Sequence, residues 1–470
     1  MVDARDAFDA RDLGALDRDV TRTAALVSRA ERAAKAGADA FDPYEERRQV
    51  AGRSTFVALA PKADDLSLEA PMRAGLRRWV FAFTLARLAR DKSLALQEAI
   101  DEDVAIVDRP VSRKISWREA WQEALHATVT GDVEMYLRAA GDAADTVAPP
   151  AREVQAILRE AAHRLDVEDR VRFETGVAAR TLTTFARSLF DATDEISRHA
   201  LAAEQKRREG VRTSPADYLA LALGRSAGEG WPAKLTRRWL EDLAPPLVQG
   251  LALDVGVLPE ALGASSFARA LFAFGRALRI AGPSPSLPFA LARDPFPVDA
   301  ERFGLGFASL VTSAPFHRKV LGVGADAAVA QARIGNGMAL AHARLAALRW
   351  LVAGADRNER EELGHRLLGA APPGDLFAAF PVPRLDDSSR LLALATTFPF
   401  VTGLVDRHDE DWFKNPRALA DLRARASAPA HAAATGATDE AHATWAGEDG
   451  EAEATRAAAA LTRHFEHALA

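Results

Sequence analysis

The chain has 470 residues, of which 48% are hydrophobic and 27% charged. That balance is typical of a soluble globular protein, and it excludes disorder of the whole chain. Lys and Arg total 60 against 66 Asp and Glu, a net charge of -6, so nothing in the charge steers the chain to nucleic acid. Cysteine is absent, which removes disulfides, thiolate nucleophiles and every Cys-ligated metal site.

At this length more than one hydrophobic core is expected. The start, Met1-Val2-Asp3-Ala4-Arg5-Asp6, is charged from its third residue and lacks the apolar run of a secretory signal. The most apolar stretches are short or carry Arg344 and Arg349, so no membrane span is expected and a cytoplasmic location is.

Taken in order, the apolar spacing predicts an all-α protein, either several domains or an extended array of packed antiparallel helices. Val154, Ile157, Leu158, Ala161 and Leu165 fall on one helical face, as do Phe185, Leu189, Ala192 and Ile196. The clearest helix covers Ile334 to Val352, where Ile334, Met338, Ala341, Leu345, Leu348 and Val352 form a stripe flanked by alanines that admit a close neighbour. Leu247 to Val257 alternates as a short strand or hairpin. Asn415-Pro416 reads as an N-cap followed by Pro in the first turn.

Breaks rich in Pro, Gly and polar residues fall at Gly141 to Pro150, Glu209 to Pro215, Ala281 to Val298 and Ala370 to Leu385. They suggest an N-terminal helical domain over 1–148, a central one over 149–280 and a C-terminal one over 281–425. An Ala-, Thr- and Gly-rich linker over 426–450, poor in large apolar side chains, and a terminal helix over 451–470 follow.

Three Glu-x-x-His pairs, Glu123/His126, Glu160/His163 and Glu362/His365, have the spacing that supplies two ligands to one metal in di-iron carboxylate bundles. Each pair points away from the apolar stripe of its own helix, which favours a solvated face over an inward metal site. Glu361-Glu362-Leu363-Gly364-His365 is one substitution from the His-Glu-x-x-His zinc motif, but Glu361 stands where the first imidazole belongs.

Gly322-Val323-Gly324-Ala325-Asp326 has the outline of a dinucleotide loop without the ribose-binding acid, and it reads as a turn feeding a helix. Asp406, His408, Asp409, Glu410 and Asp411 form an acidic link before Trp412 and Phe413, and Asp64-Asp65 and Asp386-Asp387 are isolated acidic pairs. Arg77-Arg78 and Arg237-Arg238 each precede a Trp, and such guanidinium pairs suit anions or carboxylates.

No catalytic set is complete. The expectation is therefore an α-helical binding or assembly protein whose partner is a protein, a second copy of the chain included, and neither nucleic acid nor membrane. The alternative is a metal-dependent helical enzyme, of di-iron carboxylate type or a degenerate relative of a helical zinc peptidase, using the six Glu and His residues. A third reading, an anionic small molecule held by Arg and helix N-termini, requires Gly322 to Asp326 to face a cleft. No cofactor is assigned.

Overall fold

Helical periodicity carries through to the structure, a computed structural model that describes residues 12–35, 41–61, 69–108, 112–225, 263–379, 387–430 and 444–470. The first half contains α1 (Leu13–Lys35), α2 (Arg53–Ala58), α3 (Ala70–Asp101), α4 (Trp117–His126), α5 (Thr130–Arg164), α6 (Arg170–Thr175), α7 (Ala179–Ala192), α8 (Asp194–Arg207) and α9 (Pro215–Leu223). The second contains α10 (Ala264–Ala281), α11 (Phe289–Ala292), α12 (Val298–Ala308), α13 (Ala314–Lys319), α14 (Ala325–Val352), α15 (Arg357–Leu368), α16 (Asp387–His408), α17 (Pro416–Ala426) and α18 (Gly450–Leu469). Among the described residues the fold is all-α with one short hairpin.

That hairpin lies between α3 and α4, where β1 (Ala105–Val107) pairs antiparallel with β2 (Arg113–Ile115), Ala105 opposite Ile115. The stretch Leu247 to Val257, read as a strand, is outside the described residues. Val107 and Ile115 are fully buried and Ile106 points outward, the alternation of a half-buried strand.

Local chemistry explains several boundaries. Asn415 accepts a hydrogen bond from the Arg417 N–H (3.0 Å) at the start of α17, as the Asn-Pro pair predicts. The Phe185-to-Ile196 stripe is split between two helices rather than one, because the chain turns at Thr193. Its buried hydroxyl donates to Leu189 O (2.7 Å) and accepts from Arg344 (2.9 Å).

The expected break at Gly141 to Pro150 does not occur. Helix α5 runs through Pro149 and Pro150 without interruption, past the 148/149 division. Pro149 is on the exposed side, so carbonyls that lose a partner face water, while Val147, Ala148, Ala151 and Val154 hold the inner side against the core. Gly141 has a different role, since a Cβ there would meet Pro373 O at 2.2 Å.

Three apolar clusters form the interior. The first gathers residues from the hairpin, α4, the first half of α5, α7, α9, α14, α15, α16 and α18. The second joins α1, α2, α3 and the second half of α5 to Ala290 and Phe296, and the third joins α10, α12, α16 and α17. Trp445, inside the segment read as a linker, is buried in the first cluster against Phe185 (5.8 Å between ring centres), and residues 431–443 of that segment lie outside the description.

Among the described residues one helix, α16, is long and apolar enough to cross a membrane, but 56% of its apolar window is buried inside the protein and it carries part of two of the three clusters. That is how a core helix behaves.

Candidate functional site

The Glu-x-x-His pairs are placed apart. Glu123 and His126 lie at the end of α4, where Glu123 stands 3.9 Å from Arg113 of the hairpin. Glu160 and His163 are exposed near the far end of α5, and Glu160 is bound to Arg164. At a rise of about 1.5 Å per residue they are about 50 Å along that helix from the turn joining it to α4. Glu362 and His365 are exposed on α15. Among the described residues, no three His, Asp or Glu side chains are grouped so as to hold a metal ion.

Several members of the other acidic sets are engaged locally, while Asp406, Asp409 and Glu410 are exposed. Asp411 binds Lys319, and His408 binds Asp421 (2.8 Å) while Trp412 is buried beneath them. Asp387 pairs with Arg349 (3.3 Å) at the start of α16. Asp64, Asp65, Asp386, Arg237 and Arg238 lie outside the described residues.

Arg77 and Arg78 are both engaged within the protein. Arg77 stacks over Phe56, with 4.3 Å from the guanidinium carbon to the ring centre. Arg78 is buried and donates to both oxygens of Asp294 (2.9–3.1 Å) and to the carbonyls of Phe173 and Glu174 (2.7 Å each). Burial pushes the Asp294 carboxyl up, against the pull of Arg78. This pair bolts the segment after α11 to α3, and so helps to wall a cavity of about 890 Å³ between α1, α3, α10 and residues 289–300.

The cavity is assembled by close backbone approach. A Cβ on Gly75 of α3 would lie 2.4 Å from Ala290 O, and one on Gly275 of α10 would lie 2.2 Å from Phe303 O, so only glycine lets α11 and α12 seat where they do. Asp17 of α1 accepts from the Phe289 and Ala290 N–H groups (2.9 and 2.8 Å), satisfying donors at the start of α11. These contacts fix three walls relative to one another.

Along one side runs a ladder of rings. Tyr44 stands 5.9 Å from Phe83, Phe83 stands 5.4 Å from Trp79, and Trp79 stands 5.0 Å from Phe289, all tilted. The indole N–H of Trp79 donates to Arg293 O (3.0 Å), which sets the backbone from which the Arg293 side chain leaves.

Arg276, Arg279 and Arg293 line the other end. Arg276 is 2.9 Å from Glu301, and Arg279 reaches Asp299 (3.5 Å) and the carbonyls of Ala426 and Pro429. Asp299 is shared with Arg302, and Asp294 is occupied by Arg78. Arg293 is half-buried, hydrogen-bonds only Ala292 O (2.9 Å), and pairs with no carboxylate among the described residues. Burial and, second, the nearby Arg279 lower its pKa, the direction expected for a cation short of counter-charge.

At the ladder's opposite end Tyr44 is 3% exposed, and its backbone N–H donates to Asp42 (2.9 Å). Burial first, then Glu31 and Asp42, push its pKa up, so it stays a neutral phenol that can donate.

A second cleft of about 1270 Å³ lies between α8, the start of α14 and the end of α18. Asp326 lines it, so the Gly322 to Asp326 turn does border a cleft, but through its acid. Glu195, Glu204 and Glu466 there face Arg207 and Arg333, a mixed lining with no excess of positive charge.

Sequence reasoning singled out the Arg78-Trp79 neighbourhood and missed Tyr44, Phe289 and Arg293. The last two sit in the proline-rich Ala281 to Val298 segment, which local spacing marks only as a break. No protein-family model and no curated protein matches the chain.

Proposed function

We propose that the protein is a binding protein rather than one built around a metal centre, and that it takes a small molecule in the cavity between α1, α3 and α10. The observation that carries this reading is an open-mouthed, aromatic-lined cavity ending in Arg293, a half-buried cation with no carboxylate partner among the described residues. Pockets of this size, mostly apolar with a few placed polar groups, are the usual form of a ligand site. A cysteine-free helical chain of mild net charge suits work in the cytoplasm.

Thermal-shift screening of the full chain against small acids, bases and neutral aromatics tests the reading, with Ala86→Trp as the cavity-filled control. Ala86 lines the cavity. Ligands should raise the melting temperature of the native chain, as mass action requires, and not that of the folded control. No stabilising compound, or equal stabilisation of the control, overturns the proposal. Native mass spectrometry on the same sample should find no stoichiometric iron, manganese or zinc. One or two equivalents, lost on replacing His126, His163 and His365, would favour the metal-enzyme reading instead.

A further inference from the structure

Resting on that reading, we infer that the ligand is an elongated aromatic anion: a carboxylate head at Arg293, a flat body along the Trp79 and Phe83 rings, and a polar far end at the Tyr44 hydroxyl. Three independent features give the three parts. The first is charge. Of the residues lining the Arg293 end, Arg276, Arg279 and Arg293 outnumber Asp294 and Asp299, and contacts within the protein already engage both acids. An entering carboxylate completes the set, and the guanidinium fork matches its two oxygens. A cationic ligand would meet the reverse.

The second feature is the ladder. Its ring-centre steps of 5.9, 5.4 and 5.0 Å run continuously from Tyr44 to Phe289, a track suited to two or three linked rings rather than one compact group. The third is the Tyr44 phenol, which lines the cavity and stays protonated, so its hydroxyl can donate to a polar ligand group at that end. Arg87 and Arg90 also act on Tyr44, but of the charged residues around it Glu31 is the one that lines the cavity, so a ligand meets a carboxylate at this end. Orientation follows: the head goes to Arg293 and the neutral polar end to Tyr44.

Calorimetric titration of the full chain with biphenylcarboxylate, hydroxybiphenylcarboxylate and uncharged biphenylmethanol tests the assignment. The acid should bind about tenfold to a hundredfold more tightly than the alcohol, as expected for one charge-assisted pair. Arg293→Gln should abolish that preference, and Arg293→Lys should keep part of it. Tyr44→Phe should weaken the hydroxylated acid about threefold to tenfold and leave the plain acid unchanged. Circular dichroism checks that each variant is folded.

Equal binding of acid and alcohol, or a preference that survives Arg293→Gln, overturns the anion assignment while leaving a small-molecule site in place. So does a library hit that is cationic and is lost in Ala86→Trp. If no compound in either experiment distinguishes the native chain from Ala86→Trp, the binding reading itself falls.

Discussion

Imidazoles make stability depend on pH at the scale of single residues, with lowered pKa values at His317, His342 and His464. His317 is completely buried with Nε2 2.8 Å from Val311 O, and His464 lies 3.1 Å from Asn336 Oδ1. Asn336 uses its amide hydrogens on Ala332 O and Thr312 O, so His464 must be the donor in that bond. Desolvation lowers both histidine pKa values below the ordinary 6.5, so the unfolded chain binds protons that the folded one refuses. The stability they supply is present above that value and is lost as pH falls below it toward the folded values. Buried Glu174 and Asp294, whose pKa values are raised, act in the opposite direction. The histidine contribution should therefore fall between about pH 7 and pH 5.5, so relative to the native chain the double variant His317→Gln, His464→Gln should gain melting temperature as pH falls across that window. An unchanged slope in a folded variant would refute the assignment.

At the scale of elements, glycine decides how near two helices come. Gly75→Ala forces a methyl to 2.4 Å from Ala290 O, a backbone atom that cannot rotate away, whereas a Cβ on Gly131 in the first turn of α5 meets nothing within 4 Å. Urea unfolding should show Gly75→Ala destabilised by about 1–3 kcal/mol through overpacking. Gly131→Ala should be neutral or stabilised by up to about 1 kcal/mol through helix propensity. Because Gly75 seats α11, the first variant should also weaken ligand binding at Arg293. Nothing in helical spacing separates these two glycines; only the identity of the neighbour does.

For the whole molecule, α5 is the element that ties regions together. Its Val133 to Ala143 side chains belong to the first apolar cluster and Ala144 to Leu158 to the second, on one unbroken helix. Leu137→Ala and Val154→Ala, one in each cluster, should therefore shift the same unfolding transition. The costs should be about 2–5 kcal/mol for the leucine and less for the valine. Coincident fluorescence and circular dichroism curves would establish this. Two separable transitions, each moved by one variant, would instead place an independent unit on either side of the helix.

The all-α class, the long helix ending at Val352, the Asn415 cap and the outward placement of the Glu-x-x-His pairs were legible in the residues, because each depends on spacing within one helix or one turn. The run of α5 through Pro149 and Pro150 was not, since burial of the inner face outweighs a local breaker. Nor was the candidate cavity: Tyr44, Trp79, Arg276 and Arg293 come from separate segments, and only tertiary packing sets rings from three of them side by side. Local sequence fixes which face of a helix is apolar. It does not fix which faces meet, and Arg293 lacks a carboxylate among the described residues only because Asp294, beside it in sequence, has been taken by Arg78.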